Sequence, residues 1–174
     1  MLSMNEWLHV ILVGVGATIV MDIWGLIQKA MGVPTLNYAM VGRWAGHLLR
    51  GQIAHSNIGK TAPIAGESPL GWAIHYAVGI AFTFLLVAVY GTAWLQDPRW
   101  LPAVIVGTAT VVMPFFVLQP ALGAGVAASR TPTPCANRWR SVLTHAIFGL
   151  GMYLAAWLIK QIAWGNGNLL EHLS

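Results

Sequence analysis

Four long apolar segments constrain this chain more than any other feature. They run over about 7–30, 70–95, 101–119 and 142–164, and each has the roughly 20 mostly apolar residues that a helix needs to cross a bilayer. Turn and charge signals separate them. Gly32-Val33-Pro34 closes the first, Gln96-Asp97-Pro98-Arg99 divides the second from the third, and Pro120 ends the third. Pro114 lies inside the third segment, where the missing backbone N–H predicts a kink. The expectation is an all-α, single-domain integral membrane four-helix bundle over residues 1–174, with loops at 31–69 and 120–141.

Composition agrees. Only 8% of the residues are charged and 57% are hydrophobic, whereas a soluble domain is about a quarter charged. The sequence pI of about 9.6 does not point to nucleic acid, because the nine Lys and Arg are scattered along the chain. Cys135 is the lone cysteine, so neither an intrachain disulfide nor a cysteine-based metal motif is available. Residues 1–7 contain Glu6 and no Lys or Arg, and the first apolar run is long for a signal peptide; it reads as a retained span.

Loop charge sets the expected orientation. Arg43, Arg50 and Lys60, with Lys29 at the edge, fall in the first long connection; Arg130, Arg138 and Arg140 fall in the second. The positive-inside rule places both connections in the cytoplasm and both termini outside. Trp7, Trp94, Trp100 and Trp164 then fall at the outer interface, as an aromatic belt. From Met40 the first connection repeats near 3.6 residues with a face of Arg43, His47 and Arg50, which predicts an amphipathic interfacial helix whose basic residues meet anionic headgroups.

A weak internal repeat runs through the spans. Ala17-Thr18-Ile19-Val20-Met21-Asp22 matches Ala109-Thr110-Val111-Val112-Met113-Pro114, and His75 to Gly79 matches His145 to Gly149. Two parallel helical hairpins would give that order. Gly14, Thr18, Asp22 and Gly25 form one small-polar stripe. Gly71, His75, Gly79 and Thr83 form a second, and Ser141, His145 and Gly149 a third.

Asp22 is the one acid well inside a span, and His75, His145, Gln28 and Gln119 sit at similar depth toward the cytoplasmic side. Ionisable groups at such depth are paired or functional. The plain reading has Asp22 fixing helix register through a histidine or Trp24. Three others stand beside it: a protonatable site for a small solute or ion, a divalent-metal site of Asp22, His75 and His145, and a haem held by His75 and His145. In the loops, His55, Glu67 and Arg130 are further candidates; Arg130 is placed to cap helix carbonyls or to pair with Glu67. The small-residue run 121–132 reads as a tight turn packed against the bundle, without the lysine of a phosphate-binding loop. No nucleophile constellation is visible, so an enzyme is not the favoured reading; handling of a small solute or ion is. An accessory subunit of a larger membrane complex is the alternative, and a homo-oligomer is expected if so small a bundle transports.

Several stretches also carry a resemblance. Gly16-Ala17-Thr18 with Met21-Asp22, Gly42-Arg43-Trp44, His55, Gly71-Trp72 with His75-Tyr76, Gln119 through Gly125, Ala127 through Pro132, and Thr144-His145 with Phe148-Gly149-Leu150-Gly151 resemble the bacterial domain-of-unknown-function 2938 family. The resemblance implies a multi-span inner-membrane protein and carries over no catalytic residue.

Overall fold

The computed structural model describes the backbone of residues 3–171 and side chains as far as residue 162. Among these residues every regular element is helical. Four helices are long and apolar enough to cross a membrane: Met4–Ala30, Glu67–Tyr90, Trp100–Leu122 and Pro134–Ile162. The first is α1 (Met4–Ala30), opened by a capping box in which Ser3 and Glu6 satisfy each other's backbone N–H groups. The second is α3 (Glu67–Tyr90). It stops about five residues earlier than its hydrophobicity suggests, because Gly91 adopts a φ of 83° and turns the chain into the short α4 (Ala93–Gln96). The last, α7 (Pro134–Glu171), begins well before the expected position 142. Pro134 can open it because the first helical residue needs no N–H.

The third span is broken as Pro114 predicts. It starts as α5 (Trp100–Ala109), widens into a π-helical turn over Pro114–Leu118 and ends in α6 (Gln119–Leu122). Pro114 has no N–H to donate, and Phe115 N–H still bonds to the Val111 carbonyl. The turn then widens to a five-residue step in which Gln119 N–H bonds to the Pro114 carbonyl.

Glycines set which helices touch. A Cβ on Gly79 would fall on Thr18 Oγ1, and one on Gly14 would sit 2.6 Å from Ile80 Cα, so α1 and α3 meet backbone to backbone. Gly16 faces Ala155 and Gly151 faces Ala17 between α1 and α7, while Gly107 faces Gly149 between α5 and α7. Gly14, Thr18 and Gly79 of the small-polar stripes thus lie on the α1–α3 contact line and Gly149 on the α5–α7 one, small residues letting helices approach closely. Gly25, by contrast, meets nothing within 4 Å. The α3–α5 seam is different. These two helices touch only sparsely, and no glycine among the described residues closes the gap between them.

The amphipathic helix is α2 (Tyr38–Leu48), and it packs on α3. Its basic face does not all turn outward. A Cβ on Gly42 or Gly71 would fall on the backbone of the other helix, and at this contact Arg43 forks onto Glu67 through Nε and Nη2 at 2.8 and 2.7 Å. Its Nη1 donates to the carbonyls of Ile58 and Thr61. His47 is buried with Nε2 3.0 Å from the Ala62 carbonyl oxygen. Arg50 alone of the three basic residues is exposed. Arg43 therefore clamps the first connection, and Glu67 is paired with it rather than with Arg130, which is exposed.

Two other expectations change. Trp94 is buried, with Nε1 donating to the Arg99 carbonyl, so it is no belt residue; Trp7 and Trp100 are exposed, and Trp164 lies outside the described side chains. Lys160, which reads as a charge stranded in a span, reaches Asp97 at 3.1 Å, its stem lying along the helix while the ammonium meets an exposed acid.

Candidate functional site

Asp22 lies eight residues before the end of α1 and His75 eight residues after the start of α3. At 1.5 Å per residue each is about 12 Å in from the same end of the helices. Equal depth on adjoining antiparallel helices brings them together: His75 Nε2 is 2.8 Å from Asp22 Oδ1. Tyr76 O–H donates to Asp22 Oδ2 at 3.0 Å, so both carboxylate oxygens are engaged. Tyr38, the first residue of α2, stacks on the His75 ring with centroids 4.0 Å apart, and Trp72 meets it edge-on. Burial, then the charge of Asp22, pushes the Tyr38 phenol well above its ordinary value of 10.0, so this hydroxyl stays protonated.

His145 does not join that pair. Its Nδ1 lies 2.8 Å from Thr110 Oγ1 on the third span. The repeat that aligns Thr110 with Thr18 thus ends in different contacts: an acid–histidine pair in the first hairpin, a hydroxyl–histidine pair in the second. The three groups proposed as metal ligands are not convergent, and among the described residues no set of three His, Cys, Asp or Glu is placed to hold a metal. A haem between the two histidines would have to displace Asp22 from the Nε2 that normally ligates iron.

What connects His75 and His145 is a cavity of about 300 Å³, within the range of small-molecule sites. It occupies the sparse seam. Ile74, Val78 and Phe82 of α3 form one wall, and Met113 with Pro114, Val117 and Leu118 of the π-helical turn form the other. Thr18 and Met21 of α1 and Phe148 of α7 line its depth; Tyr38, Val41 and Trp44 of α2 cover its loop end. The π turn lines this seam, and such turns recur at functional sites.

The remaining candidates lie outside the cavity. Gln119 Nε2 donates to Ser141 Oγ at 3.3 Å, and its Oε1 is enclosed without a partner. Gln28 makes no side-chain hydrogen bond among the described residues and does not line the cavity. His55 packs edge-on against His47, with both ring nitrogens enclosed and unpartnered. Trp24 does not reach Asp22; its Nε1 has no partner. Tyr38, Tyr76 and Thr110 are the site residues that spacing did not single out. Tyr76 and Thr110 stood beside residues that it did, whereas nothing in the sequence marks Tyr38, which arrives through the α2–α3 contact.

No curated protein and no solved structure matches the chain. A family model described as "Protein of unknown function (DUF2938)" matches residues 11–159. That match reaches into all four long helices and includes both histidine pairs, and the chain belongs to this family.

Proposed function

We propose that this protein spans a bacterial inner membrane four times and binds a small, largely apolar molecule in the cavity between α3 and the third span. The observation that carries the reading is the cavity's composition: about 300 Å³ walled by aliphatic and aromatic side chains, with the two imidazoles among its few polar groups. A bare ion there would lose its hydration without gaining enough ligands, a cost of several kcal/mol or more, so a solute with an apolar body is favoured over an ion. The opening at the least closely packed helix seam suits entry from the lipid phase.

The orientation follows from charge. Lys29, Arg50, Lys60, Arg130, Arg138 and Arg140 lie at the end with the two long connections, which places that end in the cytoplasm and both termini outside. Arg50, exposed at the end of α2, is the residue of this helix left to meet anionic headgroups.

The test is extraction. Protein purified from its own membranes is denatured and the released small molecules are compared by mass spectrometry with those from Val117→Trp, which fills the cavity. A lipophilic compound present in the first and depleted in the second supports the reading. Identical extracts overturn it.

A further inference from the structure

We infer that the molecule bound in the cavity is a lipophilic alcohol or phenol, one whose head donates a hydrogen bond. This deepens the cavity-binding reading and rests on it. The argument starts at Thr110. Its Oγ1 lies 2.6 Å from the Gly107 carbonyl oxygen, and two oxygens that close need a proton between them. The threonine has only one, so toward His145 it is an acceptor, and the 2.8 Å contact to Nδ1 is an Nδ1–H donation. A neutral imidazole carries its proton on one nitrogen, and this network fixes which. Nε2 of His145 is therefore a bare lone pair.

The same holds at the other end. Asp22 accepts from Tyr76 through Oδ2 and faces His75 Nε2 with Oδ1. A carboxylate only accepts, so Nε2 of His75 carries the proton and, in the neutral ring, Nδ1 is the acceptor. Neither His145 Nε2 nor His75 Nδ1 has a protein partner among the described residues, and neither is among the sealed, unpartnered atoms; both residues line the cavity.

The other polar lining groups do not alter this. Thr18 donates to the Gly14 carbonyl and Trp44 to the Ile53 carbonyl, leaving the Tyr38 hydroxyl as the one adaptable group. No Lys or Arg lines the cavity. A fatty acid's carboxylate would meet the His145 Nε2 lone pair with no Lys or Arg beside it, and an ether or ester would leave that nitrogen unpaired. A hydroxyl on an apolar body satisfies it.

The experiment uses the full chain in nanodiscs of neutral lipid, with ¹⁵N-labelled histidine, and two probes of matched size: para-octylphenol and its methyl ether, para-octylanisole. The phenol is expected to bind roughly tenfold more tightly, the effect of one buried hydrogen bond. It should also move the His145 Nε2 resonance while Nδ1 keeps the signature of a protonated nitrogen. In His145→Phe the preference for the phenol should fall, any remainder reporting the second acceptor, His75 Nδ1. Equal affinity for phenol and ether in the wild-type protein, or a protonated Nε2, overturns the inference and leaves the cavity-binding reading intact. If neither probe binds the wild-type protein better than Val117→Trp, the cavity reading falls with it.

Discussion

Asp22 and His75, on different spans and 53 residues apart in sequence, meet at 2.8 Å, and the Tyr76 hydroxyl closes the carboxylate's other oxygen. The contact explains how an acid is accommodated so far inside an apolar helix. It also defines what removing the acid does. Asp22→Asn keeps an oxygen for one of the two donors. Asp22→Leu strands both, at about 1–3 kcal/mol for each unsatisfied group. Thermal unfolding in detergent should show a modest loss for the amide and a much larger one for leucine. Equal midpoints for the two variants would mean that the pair does not hold α1 to α3.

The orientation can be read with the native sequence. Cys135 is the single cysteine and is exposed near the start of α7. A membrane-impermeant maleimide should label it in inverted membrane vesicles and leave intact spheroplasts unlabelled. Labelling of intact spheroplasts would reverse the proposed topology.

Arg43 serves as a clamp, with Nε and Nη2 on Glu67 and Nη1 on two carbonyls of the first connection. Lysine cannot reproduce that fork, so Arg43→Lys should lower the unfolding midpoint nearly as far as Arg43→Ala. Neither should change how stability depends on anionic lipid, whereas Arg50→Ala should weaken that dependence. A thermal-shift series in nanodiscs with and without anionic lipid separates the two roles.

Glycine substitutions should divide by contact. A methyl on Gly71 would fall on the Tyr38 carbonyl oxygen, while one on Gly25 meets nothing within 4 Å. Gly71→Ala should cost about 1–3 kcal/mol or more, since backbone cannot yield as a side chain can. Gly25→Ala should be neutral or gain up to about 1 kcal/mol from helix propensity. Because Tyr38 covers the cavity, Gly71→Ala should also reduce retention of the bound molecule, measured by the same extraction.

Asp97 carries a pH effect of known sign. The hydrogen bond from Lys160, then its charge, lowers the Asp97 carboxyl from its ordinary 3.8. A lowered folded-state value adds stability above the unfolded value, and that stability is lost as pH falls through the folded one. The effect is small because both side chains are partly exposed. An NMR titration should find the Asp97 pKa higher in Lys160→Met than in the wild type.

The four long helices, the break at Pro114, the helical character of the first connection and part of the small-residue lines along which helices touch are legible in the sequence. These follow from local facts: run length, a missing N–H, a 3.6-residue period, and small residues one turn apart. The sequence also placed Asp22, His75, His145, Gln28 and Gln119 at similar depth, without separating the pair that meets from the groups that do not. What only tertiary structure decided is which groups meet. His145 turns to Thr110, Arg43 and His47 turn into the protein, and Trp94 is buried, because those choices depend on how helices distant in sequence are rotated against one another. The cavity is the clearest case. It is lined by the π turn over Pro114–Leu118 on one side and by α3 on the other, and a gap between two helices leaves no pattern in the sequence of either one.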